Sequence, residues 1–212
     1  MDFKLEVPTT LEYFASLVQS DEHFPLLEAA ASLAQDEYPE LDIQQVLDQV
    51  DQLGSRLKQR LPADAGALQK LRVLNKFFFD EQGFSGNLNN YYDPDNSYLH
   101  VMLRTRRGIP ISLAVLWLEL ALGLGLNAQG VGFPGHFLVT VRLPFPNEGQ
   151  VVIDPFTGES LSKEDLSERL VPLHAESGLL REGHVSDELL KHYLRAATPR
   201  EIVARMLRNL EE

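Results

Sequence analysis

Ser112, His136 and Asp154 are three residues whose types, taken together, could transfer an acyl group. A hydroxyl nucleophile needs a base to take its proton, and an imidazole base needs a carboxylate to fix its tautomer. Ser112 falls in the first turn of the most apolar stretch of the chain, RRGIPISLAVLWLELALGLGL, with Pro110 at the expected first helical position. His136 opens the alternating segment HFLVTVRL, and Asp154 closes the following segment QVVIDPF. A helix N-terminus adds partial positive charge and free N–H groups that could hold a developing oxyanion. Each residue alone has an ordinary explanation, as a helix-start serine, a strand-edge histidine and an Asp-Pro turn. Their joint placement is what carries the chemistry.

The elements that must position them are legible from periodicity. Thr9-Thr10-Leu11-Glu12 is a capping-box pattern, and Pro25 suits the start of a helix through LLEAAASLAQ. Asp42 caps an amphipathic helix in which Ile43, Val46, Leu47, Val50, Leu53 and Leu57 recur at helical spacing. A further helix, ALQKLRVLNKFFF, stops near Gly83, and the apolar helix after Gly108 ends at Gly123 or Gly125. The period then changes to two: residues 136–156 read as a hairpin around PFPNEG, with GVGF at 130–133 as a possible third strand. Capping signals start helices near Ser162, Ser186 and Thr198. This order gives an α+β fold. Register matters for the site. If Leu143 faces Gln150, His136 and Asp154 project from opposite faces, so a common site requires a one-residue shift or a bulge.

Residues 83–97, GFSGNLNNYYDPDNS, read as one long loop, and loops of this length within compact domains are often functional. The loop is expected to cover the N-terminal end of the apolar helix. Phe84, Tyr91, Tyr92 and Asn96 then become candidate cleft or binding residues, with Arg107 from the basic cluster Arg104, Arg106 and Arg107.

The segments RRGIPISLAVLWLELALGLGLNAQGVGFPGHFLVTV and VVIDPFTG resemble the transglutaminase-like core. In that fold a Gly-x-Cys-x-x-x-Ala motif opens the central helix, a His begins a strand, and Asp-Pro follows on the next. LNKFFFDEQGFSGNLNNYYDPDNSYLHVMLRTRRGIPISLAVL is similar to the bacterial SirB-one family of transglutaminase-like proteins, which often carry a tetratricopeptide tail. The resemblance covers residues 70–160 well. It implies a papain-like core with a central buried helix on a small antiparallel sheet, wrapped by N- and C-terminal helices. It divides the chain into a helical region 1–82, a core 83–160 and C-terminal helices 161–212. It also implies that Ser112 occupies the cysteine position, His136 the histidine position and Asp154 the aspartate position. A hydroxyl is far harder to ionise than a thiol. The expected function is therefore a regulatory or protein-interaction module, a pseudoenzyme with another protein or peptide as partner. The alternative is a serine-dependent hydrolase or acyl transferase acting on amide or ester bonds. No tetratricopeptide array is expected within these 212 residues.

Composition narrows the classes further. A net charge of −12 argues against nucleic acid. The absence of cysteine removes disulfides and thiolate ligands, and no metal site or cofactor is expected. The apolar helix carries Glu119 and is too short for a bilayer, and the N-terminus shows no signal-peptide pattern, so the expected location is the cytoplasm. Asp93, Asp95 and Ser97 begin like a calcium loop but lack its Gly and Glu. His174, His184 and His192 read as surface residues.

Overall fold

The computed structural model describes residues 7–174, 180–181 and 184–211. The chain starts with α1 (Thr10–Leu17), α2 (Leu26–Ser32) and α3 (Ile43–Lys58). The Thr9–Glu12 capping box is formed, and the Asp42 carboxylate accepts the Gln44 N–H. Asp42, Pro25 and Thr9 therefore act at the helix starts that their types indicate. Next comes α4 (Ala67–Asn75), which runs on into a π-turn at Lys76–Glu81 instead of continuing as regular helix. The Gln82 N–H reaches back to the Phe77 carbonyl, and this wider turn buries Phe77 and Phe78 together.

The segment 83–97 is more ordered than a long loop. It holds β1 (Ser85–Gly86), parallel to β2 (Arg107–Gly108), and a 3₁₀ turn, Pro94–Ser97, capped by Asp93. Between these lies α5 (Leu99–Thr105), ended by Arg106 in the left-handed conformation at φ 60°.

The central helix α6 (Pro110–Gly123) has eleven of its fourteen residues buried, Trp117 among them. A helix that is apolar all round has to lie inside the protein. Leu124 follows, and Gly125 at φ 74° turns the chain away. The sheet is β3 (Asn127–Val131), β4 (Leu138–Leu143), β5 (Gly149–Ile153) and β6 (Ser160–Leu161), antiparallel in that order. β3 begins three residues before the GVGF stretch. In the β4–β5 ladder Leu143 faces Gly149 and Arg142 faces Gln150. This is the one-residue shift that sends His136 and Asp154 to a common face.

The sheet is covered on both sides. Val139, Val141 and Ile153 join the main core around α6, which draws in Val46 and Leu53 of α3. On the other face, Leu138 and Val152 meet Leu166 and Leu170 of α7 (Lys163–His174) and Leu190 of α8 (Asp187–Tyr193). A short hairpin, β7 (Leu180–Arg181) with β8 (His184–Val185), separates these helices. His174 is buried, not on the surface, because its Nε2 pairs with the Tyr193 hydroxyl at 2.8 Å. The chain ends in α9 (Pro199–Glu211), anchored by the Ala197 N–H to the Gly130 carbonyl and by Ile202 and Met206 in the main core. The fold is α+β, as its element order indicates. No helix among the described residues is long and apolar enough to cross a membrane.

Candidate functional site

His136 follows a tight turn in which Gly135 takes φ 67° and the His136 N–H donates to the Phe133 carbonyl. Its Nε2 lies 2.7 Å from Asp154 Oδ1. Asp154 leaves the end of β5, and its side chain is buried. Oδ1 also accepts the Phe156 N–H at 2.9 Å, while Oδ2 accepts Arg169 Nη1 at 3.2 Å. Burial pushes the Asp154 pKa up, but the His136 bond and charge, the Phe156 N–H and Arg169 together outweigh it. The carboxyl is held below its ordinary value. With an Nε2–H donated to this carboxylate, a neutral His136 carries its free lone pair on Nδ1. This is the oriented-base half of an acyl-transfer site.

The structure does not bring Ser112 to that pair. Ser112 is fully buried, and its hydroxyl donates to the Asn96 carbonyl at 2.7 Å, with the Ile109 carbonyl at 3.1 Å. The same oxygen accepts the Ile109 N–H at 3.1 Å. These contacts tie the start of α6 to the 3₁₀ turn. The residues of α6 that share a cleft of about 390 Å³ with His136 are Pro110 and Ile111. A side chain's direction within a helix is set by its position on the turn, and residue 112 points a different way from residue 110.

The remaining expected cleft residues separate. Tyr91 lines the cleft beside His136, and its ring lies 5.9 Å from that of Phe156, which is 6.3 Å from the imidazole. Tyr92 is 93% exposed and borders a smaller recess with Pro94 and Asn209. Phe84 belongs to the core, stacked on Phe78 under the Arg106 guanidinium. Asn96 is buried beneath the loop, where its amide donates to the Asn90 and Tyr91 carbonyls and accepts from Asn87. Arg107 is exposed and donates to the Gly83 carbonyl, closing the loop's entrance. The loop does cover the start of α6, since the Asn87 N–H reaches the Gly108 carbonyl.

Sequence reasoning missed Arg169, which fixes Asp154 from α7, and the third wall of the cleft. That wall is Arg205, Arg208 and Asn209 of α9. Their i, i+3, i+4 spacing beside the apolar face of Ile202, Val203 and Met206 was the available signal. Among the described residues no three His, Asp or Glu side chains are grouped to hold a metal ion.

A model of the transglutaminase-like superfamily matches residues 44–208. A UPF0162 protein of Xylella fastidiosa is 41% identical over 192 residues, covering 90% of this chain and 65% of the relative. A UPF0162 protein of Pseudomonas aeruginosa is 33% identical over 191 residues, covering 88% of this chain and 64% of the relative. F-box only protein 21 of Homo sapiens is 42% identical over 71 residues, covering 34% of this chain and 11% of that protein. The chain thus spans slightly less than two thirds of the bacterial relatives' length. No solved structure matches it. With most of its length matched by the family model, the chain belongs to the transglutaminase-like superfamily.

Proposed function

We propose that this domain is a SirB-one-type pseudoenzyme, a regulatory protein-interaction module that binds a peptide segment in the cleft beside His136. One observation carries the reading: the Ser112 hydroxyl is buried and committed to Asn96 and Ile109, while His136 pairs with Asp154. A serine whose proton is held by a backbone carbonyl has no base to activate it. Motif spacing supports the same reading. Counting Gly-x-Cys-x-x-x-Ala from Gly108 to Ala114 puts Pro110, not Ser112, at the cysteine position. Pro110 also faces the cleft. Proline offers neither a nucleophile nor an N–H.

The serine-hydrolase alternative draws on one observation, the oriented His136 imidazole. It requires Ser112 to abandon two backbone partners and turn toward the cleft. A fluorophosphonate probe separates the two readings. No labelling of the full chain is expected. Stoichiometric labelling that disappears in both Ser112→Ala and His136→Ala would establish the hydrolase and overturn the pseudoenzyme.

A further inference from the structure

We infer that Gly86 is a positioning residue for the His136–Asp154 pair and acts through Phe156, so that the seating of β1 decides whether Asp154 Oδ1 stays aimed at the imidazole. How the base is held is a question apart from what the site does with it. The coupling therefore stands for a peptide-binding site and for an acyl-transferring site alike.

Three sets of contacts meet at Phe156. Its N–H donates at 2.9 Å to Asp154 Oδ1, the same oxygen that lies 2.7 Å from His136 Nε2. Its carbonyl accepts the Gly86 N–H at 2.9 Å, which ties the residue to β1. Its ring lies over Gly86, with the Tyr91 and His136 rings 5.9 and 6.3 Å away. One residue thus joins the strand that opens the 83–97 segment to the carboxylate that orients the base.

The glycine at position 86 serves close approach and not backbone angle. Its φ lies outside the left-handed region that favours glycine. A Cβ at this position would fall 2.2, 2.3 and 2.3 Å from three carbons of the Phe156 ring. Carbon atoms in ordinary contact stand about 3.5 Å apart, so the ring would have to retreat by about 1 Å or more. A glycine within a strand marks such an approach.

That retreat has few outlets. The turn after β5 is closed by the Asp154 N–H on the Glu159 carbonyl at 2.9 Å and the Gly158 N–H on the Asp154 carbonyl at 2.8 Å. Its far side rests on the π-turn, where a Cβ at Gly158 would lie 2.9 Å from Phe79 Cγ. The turn is therefore not free to slide as a unit, and the displacement falls on the backbone of Phe156. Arg169 fixes Asp154 Oδ2, which leaves the aim of Oδ1 to the Phe156 N–H. A hydrogen bond from Nε2–H to a carboxylate biases the two neutral imidazole tautomers by at least about tenfold. That bias is lost when the aim is lost.

The test reads the imidazole nitrogen resonances of His136 by NMR in the full chain at alkaline pH, where the ring is neutral. Their disappearance in His136→Gln assigns them. The native chain should show a protonated Nε2 and an unprotonated Nδ1. Gly86→Ala should raise the Nδ1–H form at least about tenfold. Truncating the ring removes the obstacle, so Phe156→Ala added to Gly86→Ala should restore the Nε2–H form, and Phe156→Ala alone should keep it. Two truncating changes that merely loosen the fold would add, so this suppression separates positioning from lost stability. Leu53→Ala, in the core on α3, should destabilise the fold and leave the tautomer as it was. If Gly86→Ala does not fold, a double variant that folds with the Nε2–H form supports the coupling in the same way. An unchanged tautomer in folded Gly86→Ala, a double variant no better than Gly86→Ala, or a native Nδ1–H form overturns the inference. Fluorophosphonate labelling tests the functional reading separately, and none of these results alters it.

Discussion

Moving a single thiol between two positions in the first turn of α6 distinguishes the residue that faces His136 from the one that does not. The chain has no cysteine, so Ser112→Cys and Pro110→Cys each introduce a lone reporter. At position 112 the sulfur enters a fully buried site. Two carbonyl oxygens, of Asn96 and Ile109, lie 2.7 and 3.1 Å from the present hydroxyl oxygen, against one donor, the Ile109 N–H. Burial and carbonyl dipoles both oppose a thiolate, so its pKa should rise by at least about one unit above the reference of about 8.5. At position 110 the sulfur occupies the first residue of α6 in the cleft, near His136, Arg205 and Arg208. The helix end and these cations should lower the pKa by about one unit. The two thiols then differ by about two units, or about a hundredfold in thiolate-to-thiol ratio at a given pH. Ultraviolet thiolate absorbance and alkylation rate against pH measure both values, with circular dichroism confirming the fold. Adding His136→Ala should raise the pKa at position 110 and leave position 112 unchanged. A depressed pKa at 112 that depends on His136 would refute the reasoning and return Ser112 to the catalytic site.

Three other outcomes follow from the same contacts. Ser112→Ala leaves the Asn96 carbonyl and the Ile109 N–H with only their long mutual bond of 3.4 Å and should cost about 1–3 kcal/mol in urea unfolding, with no change in slope. Gly108→Ala places a Cβ 2.7 Å from Ser112 Oγ and 3.0 Å from Met102 Sδ, so it should destabilise by about 1–3 kcal/mol and loosen amide protection in residues 85–97. The depressed Asp154 pKa means its contribution is present above the unfolded value of about 3.9 and is lost as pH falls through the lower folded value. Asp154→Asn should therefore lower stability by about 2 kcal/mol at neutral pH and flatten the acid limb below about pH 4, as read by unfolding midpoints across pH.

The sequence by itself determined those features whose causes are local. Thr9, Asp42 and Ser186 cap the helices that their neighbours propose, because a cap is settled within one turn of chain. The uniform apolarity of α6 identified it as the buried centre, and the period-two segments identified β4 and β5. That same uniformity concealed the direction of Ser112. A helix buried on every side carries no amphipathic stripe to say which residue faces the sheet and which faces the loop. The carbonyl of Asn96, sixteen residues away, decided it. The partnership of His136 with Asp154 depended likewise on the Leu143–Gly149 register, which is set by packing on both faces of the sheet. His174 was read as exposed because nothing near it in sequence foretells Tyr193. Arg169 reaches Asp154, and the arginines of α9 reach the cleft, only because α7 and α9 fold back over the sheet and α6. Local spacing supplied the elements, and long-range packing chose which of their side chains meet.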